Sequence, residues 1–304
     1  MKPPAVYRNR HRLQRVALFA IAILLATFAA SAWADDRVGA AAATPGESEC
    51  APRVRWEHYP PYGMAGPDGT PTGYYSDVVA EALRRMGCAP RWVQMPWARG
   101  LRELADGRLD VMAGALRTPQ REAFARFSTP INLSPNLLFL SGRAAARYPL
   151  ATLADLRRTP LRIGTEPKVH YGEDYARLLR DPAFVARLHV VPDRPRGWRM
   201  LQAGRLDGII ADQATAYVSG TDLRDLQDRL VPVLVLSSEP AHVMLGRRSV
   251  DADFARRFDA ALATMRADGT MERLREQWIP CDTDPETMGC RVATPVEPGL
   301  PLSP

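Results

Sequence analysis

Histidine and cysteine are scarce in this 304-residue chain, and lysine is nearly missing. Of five histidines, His11 lies in the N-terminal segment and the other four are widely spaced, so no clustered metal site is expected. There is no His-Glu-x-x-His, no Cys-x-x-Cys and no Ser/His/Asp grouping, and the isolated glycines form no phosphate-cradling loop. A resident cofactor is therefore not expected. After residue 30 no apolar run is long enough to cross a bilayer, and the run before it, Val16–Ala30, falls short of the roughly 20 residues that a spanning helix needs.

The flanks of that run give it another meaning. Lys2, Arg8, Arg10, Arg12 and Arg15 precede it and Ala32-Trp33-Ala34 follows, which is the pattern of a cleavable export signal over residues 1–34. That segment holds five of the 40 basic residues and none of the 34 acidic ones, so the rest of the chain is close to neutral. A near-neutral chain gives no reason to expect a nucleic-acid partner. Residues 35–304 are enough for two lobes with proper cores.

All four cysteines, Cys50, Cys88, Cys281 and Cys290, lie in the exported part, an even number in a disulfide-permissive compartment. Three pairings are possible. "CAPRVRW" begins at Cys50 and "CAPRWVQ" at Cys88, each cysteine just ahead of a strand-like run. If those strands are parallel neighbours their starts lie side by side, which favours Cys50–Cys88 and leaves Cys281–Cys290 to close a small loop. Residues 35–49 read as a flexible lead-in and 282–304 as a proline-rich tail.

Gly-Arg-Leu-Asp occurs twice, at 107–110 and 204–207. Each copy follows a short apolar-periodic stretch (Leu101, Leu104; Met200, Leu201) and precedes an apolar run. That is how a helix closed by a glycine hands over to a buried strand. Strands are predicted at Val54–Glu57, Trp92–Met95 and Leu109–Ala113, with helices from a cap at Ser76 or Asp77 and over Ala98–Ala105. Asn136–Arg143 reads as a strand leaving the first lobe. The pattern then restarts: a helical stretch near Leu153–Arg157, strands Leu161–Gly164, Leu188–Val191 and Gly208–Ala211, and helices Asp174–Leu179 and Trp198–Ala203. His242–Arg248 reads as a returning strand before helices Asp253–Ala267 and Thr270–Gln277. The expected class is α/β with mainly parallel sheets flanked by helices. The first lobe would span 50–142 and 237–281, the second 143–236, with a ligand cleft between them.

"YPPYGMAGPDGTPTGYYSDVVAEAL", "LADGRLDVMAGALRTPQREAFARFSTPI", "GRLDGIIAD" and "MRADGTMERLREQWI" follow in this order over residues 53–280. In this the chain resembles the periplasmic solute-binding proteins of family 3, the polar amino-acid class. The resemblance implies the two-lobed type II periplasmic-binding-protein fold, a periplasmic monomer, and a small-molecule ligand delivered to an ABC permease. It also implies roles for single residues. Thr118 and Arg121 match the Thr-x-x-Arg motif whose arginine receives a ligand carboxylate, a task suited to a permanently charged, two-pronged guanidinium. Asp212 matches the second-lobe aspartate that pairs with an α-amino group, Tyr59 an aromatic that lies against the ligand, and Trp97 another apolar contact or a cover for the core. Tyr62, Tyr74 and Tyr75 read as lobe packing or cleft rim.

Two departures stand out. The first-lobe loop that is typically serine-lined reads Gly114-Ala115-Leu116-Arg117, and a second-lobe loop that is often Gly-Thr-Thr reads Lys168-Val169-His170. Arg117, Lys168 and His170 join the expected ligand contacts on this ground, and Arg117 and Lys168 suggest a cationic cleft for a ligand with one or two carboxylates. A non-enzymatic role is expected. The alternatives are a periplasmic dehydratase acting on a cyclohexadienyl acid, with Glu239 beside His242, or Glu173, as general acid, and a ligand-sensing accessory protein.

Overall fold

The computed structural model describes residues 50–133, 135–222, 230–279, 281–283 and 290–292. The export signal, the lead-in and most of the tail lie outside the described residues. The first part of the chain forms β1 (Arg53–Trp56), a short pair β2 (Met64–Ala65) and β3 (Pro71–Thr72), β4 (Arg91–Gln94), β5 (Val111–Leu116), β6 (Ala125–Phe127) and β7 (Asn132–Leu133). Then come β8 (Asn136–Ser141), β9 (Ile163–Thr165), β10 (Leu188–Val190), β11 (Gly208–Asp212), β12 (Leu230–Ser237) and β13 (Pro240–Gly246). One sheet runs β4-β1-β5-β13-β6, with β7 beside β13, and the other runs β10-β9-β11-β8-β12. In each, the first three strands are parallel and the fourth is antiparallel to the third.

The two sheets thus share one plan, and each takes its antiparallel strand from a crossing of the chain. Asn136–Ser141, expected to end the first lobe, is hydrogen-bonded on both sides within the second sheet. The strand expected to return, β13, lies in the first. Leu230–Ser237 was not anticipated as a strand. It carries Pro232 and a register shift next to it, which a strand at the edge of a sheet tolerates.

The repeated tetrapeptide has the same structure in both sheets. Gly107 and Gly204 adopt left-handed backbone at φ 78° and 66°, and the leucines Leu109 and Leu206 are buried. Asp110 accepts hydrogen bonds from the Arg53 backbone N–H (2.6 Å), Nε (2.9 Å) and Nη2 (2.7 Å), and that same Nη2 donates to the Gly107 carbonyl. Asp207 accepts the same three donors from Arg162 at 2.9, 2.9 and 3.1 Å, with Arg162 Nη2 on the Gly204 carbonyl. Each arginine opens the strand parallel to the one its aspartate opens, so the motif is a clasp between neighbouring strand starts. Burial opposes the charge on both carboxyls, but the arginine hydrogen bonds outweigh it and hold both below the usual carboxylate range. Their stabilisation is therefore complete above about pH 4, the unfolded value, and is lost as pH falls through the depressed folded values. Asp110→Ala should cost about 2–3 kcal/mol in urea unfolding at pH 7 and Asp207→Ala roughly half that, because the second clasp is more exposed.

Cys50 and Cys88 are bonded, with Cα atoms 4.6 Å apart. The cause is the expected one: β1 and β4 are parallel neighbours, Arg53 opposite Arg91, and Ala89 N–H donates to the Cys50 carbonyl at 2.8 Å. At the junction with the region read as a proline-rich tail, β14 (Cys281–Thr283) pairs antiparallel with β15 (Cys290–Val292). The side chains of Cys281 and Cys290, and so the second expected disulfide, lie outside the described residues.

Helices cover both faces of each sheet. The helix Tyr74–Arg85 begins after Gly73 (φ 110°), not at a Ser76 or Asp77 cap, and its first N–H groups bond back to the carbonyls of Pro61 and Tyr62. Its face of Val78, Val79, Ala82 and Leu83 is buried against the first sheet, at about 1.5–3 kcal/mol for each large side chain. In the second lobe the helix Arg194–Gln202 starts four residues before the expected Trp198. Asp193 caps it, accepting from Arg196 N–H at 2.8 Å, with Pro195 in the first turn. This earlier start brings Arg194 to the carboxyl edge of the sheet.

Candidate functional site

In parallel sheets, ligands bind beyond the carboxyl ends of the strands. Here the segments leaving β1, β5, β9 and β11 converge on one cavity, carrying Tyr59, Arg121, Glu166 and Asp212. Arg55 and Glu57, two apart and so on one face of the strand, form an ion pair in its wall.

Arg121 sits in the short helix Pro119–Glu122, capped by Thr118, whose hydroxyl accepts from Arg121 N–H at 3.4 Å. Thr118 thus serves the backbone and is absent from the cavity wall. Arg121 as a residue is 7 % exposed, and its guanidinium donates to two carbonyls, Leu116 (2.8 Å) and Lys168 of the other lobe (3.2 Å). No acid of the described residues pairs with it, and burial pulls its pKa down to about 10. Trp97 has two cations near its ring, Arg55 at 5.3 Å and Arg121 at 5.4 Å, and its Nε1–H also reaches the Lys168 carbonyl. It lines the cavity and is in contact with Arg121.

Arg117 does not reach the cavity. It is exposed, paired with Glu122 and laid on Phe127, because the chain turns at Thr118 and only the side chain four residues later points inward. The Lys168 side chain is also exposed and off the wall; its residue takes left-handed backbone (φ 64°) and offers its carbonyl instead. His170 does line the cavity, with Nε2 at 3.6 Å from Glu173. Gly114 lines it at φ 82°, where a Cβ would fall 2.5 Å from the Tyr75 ring. The serine-free loop thus makes room for a tyrosine. Of the dehydratase acids, Glu173 is exposed and Glu239 lies off the wall, while His242 is buried with Nδ1 2.8 Å from the Ser128 carbonyl.

The tyrosines divide. Tyr74 is core, its hydroxyl on the Ile131 carbonyl, whereas Tyr62 and Tyr75 stack at 4.2 Å in the cleft wall beside Tyr59. Asp212 accepts from the hydroxyls of Tyr59 and Tyr62 (2.9 Å), both from the other lobe, and from Thr215 N–H (3.0 Å) and Oγ1–H (2.6 Å). Burial pushes the Tyr59 phenol well above its ordinary pKa, so it remains a donor. Arg194, which the sequence did not single out, pairs with Glu166 and lies 4.4 Å above the Tyr59 ring. Burial opposes its charge, but Glu166 and the neighbouring groups more than offset this and hold the guanidinium ionised. Its mark in the sequence is Asp193 followed by Pro195, a helix start that sets Arg194 at the cleft edge. Among the described residues no group of three His, Cys, Asp or Glu side chains is arranged for a metal.

The family model for bacterial extracellular solute-binding proteins, family 3, matches residues 55–280. The chain belongs to this family. Among its relatives, the L-cystine-binding protein TcyJ of Escherichia coli is 25 % identical over 229 residues, covering 74 % of this chain and 80 % of that protein. The L-arginine-binding protein of Pseudomonas aeruginosa is 23 % identical over 228 residues, covering 74 % and 85 %. In fold, this family 3 chain is similar to a histidine kinase sensor domain that itself resembles periplasmic binding proteins: TM-score 0.64, 22 % identity, 76 % of this chain and 96 % of that one. The two-lobed periplasmic-binding-protein architecture is thus shared.

Proposed function

We propose that this family 3 protein, exported and freed of residues 1–34, captures a small carboxylate-bearing solute, an amino acid or a related acid, by closure of its lobes and passes it to an ABC importer. The observation that carries the reading is Arg121, a buried guanidinium with carbonyl partners and no acid among the described residues. A buried charge is costly unless paired, and an incoming carboxylate supplies the missing partner in two-pronged geometry. Closure follows from the same group, since Arg121 and Trp97 of one lobe both reach the Lys168 carbonyl of the other. A ligand that touches both lobes favours the state in which they meet. With Arg117 and Lys168 directed outward, Arg121 is the one arginine of the cleft wall without an acid among the described residues, which suits one ligand carboxylate rather than two.

The test is calorimetric titration of the mature protein, refolded to strip carried-over ligand, against carboxylates, dicarboxylates, amides and amines of similar size. Monocarboxylates should give heat and their amides should not, and Arg117→Ala and Lys168→Ala should each keep Kd within about threefold, the scale of an exposed charge. Equal binding of acid and amide would reject the reading.

A further inference from the structure

We propose that the captured carboxylate belongs to an acid without a free α-ammonium group, because Tyr59 and Arg194 stand where that cation would lie. The inference rests on the reading of Arg121 as carboxylate receptor. An ionised carboxylate offers about four acceptor sites, and Asp212 takes at least four donors from the described residues: Tyr62 hydroxyl and Thr215 N–H on Oδ1, Tyr59 and Thr215 hydroxyls on Oδ2. Arg194 Nη1 stands a further 3.7 Å from Oδ2. The other cleft acids are occupied as well, Glu166 by Arg194 and Glu57 by Arg55. Arg194 is about 10 % exposed and spreads over the Tyr59 ring, the position of a ligand cation held between an aromatic face and two carboxylates.

A ligand ammonium entering this cleft would give up its water and find the acceptor sites of each acid already taken, so it gains no hydrogen-bond partner in exchange unless the Tyr59 hydroxyl swings away. Arg121 is the one cleft charge of the described residues that lacks a counter-ion. The rest of the wall, with the rings of Tyr59, Tyr62, Tyr75 and Trp97 and the side chain of Val169, accepts a neutral body. The chemical class is therefore a monocarboxylic acid whose 2-position carries hydroxyl, oxo, acylamino or hydrogen.

The experiment compares matched pairs in which hydroxyl replaces ammonium: 3-phenyllactate with L-phenylalanine, and 2-hydroxyisocaproate with L-leucine, titrated into the refolded mature protein. The hydroxy acid should bind about tenfold tighter or better, the worth of one displaced hydrogen bond to a charged group. Tyr59→Phe keeps the ring beneath Arg194 and frees one Asp212 acceptor site, so it should cut that preference about tenfold and, through the lost hydrogen bond, lower Tm by a few degrees while the protein stays folded. A wild-type preference for the amino acid, or a Tyr59→Phe ratio equal to wild type, overturns this inference alone. Silence from every acid in both pairs overturns the Arg121 reading, and this inference with it.

Discussion

Arg121→Ala is expected to weaken carboxylate binding by about a hundredfold or more, the order measured when one partner of a desolvated charge pair is truncated. The guanidinium holds no acid of its own in the described residues, so its removal leaves no orphaned carboxylate, and thermal unfolding should move by only a few degrees. Arg121→Lys keeps the charge and loses the two-pronged geometry, and should fall between the two. The pKa near 10 adds a pH signature. Affinity should be flat through neutrality and fall as the pH rises through about 10, where half of the guanidinium has lost its proton. An alanine variant that binds normally would move the carboxylate site elsewhere in the cleft.

Removing the Cys50–Cys88 bond by a double serine substitution should have the largest effect on stability. The bond closes a loop with a sequence separation of 38 residues, for which chain entropy gives about 4 kcal/mol; engineered and native bonds deliver about 2–4. The bond ties the beginnings of β1 and β4, whereas the cavity lies beyond the strands' other ends. Urea unfolding should therefore show the loss while calorimetry of the folded variant shows Kd within about threefold, the size of a small remote effect. A stability loss under about 1 kcal/mol would mean that the β1–β4 ladder alone fixes these strand starts.

The features legible in the sequence were those written in local grammar. The alternation of strand and helix, the glycine-closed joints at 107 and 204, and the paired "CAPR" openings each depend on neighbours along the chain. The structure gives them a common cause in parallel strands with aligned starts. Arg121 and Asp212 became legible only through resemblance to relatives. Arg194 and Arg55 did not, because almost every cation of this chain is an arginine and residue type says nothing about which one turns inward; Glu166 is likewise one of 34 acids. Arg117 and Arg121 make the point: four residues apart in one loop, one is exposed beside Glu122 and the other is buried, a difference made by the turn at Thr118. The Tyr59 and Tyr62 contacts with Asp212 span more than a hundred residues and arise only when the two sheets meet.

The middle position of β13 also sets an order of events during synthesis. Every strand of the second sheet, from residue 136 to residue 237, is present in one continuous stretch, so that sheet can be completed as soon as the stretch is available. The first sheet is interrupted at its centre: β5 and β6 are made early, yet the strand that joins them begins at Pro240. Until then each has an edge of unpaired backbone groups, the kind of surface on which chains aggregate. The lobe that is begun first is the last to be finished, and it is the lobe that carries Arg121.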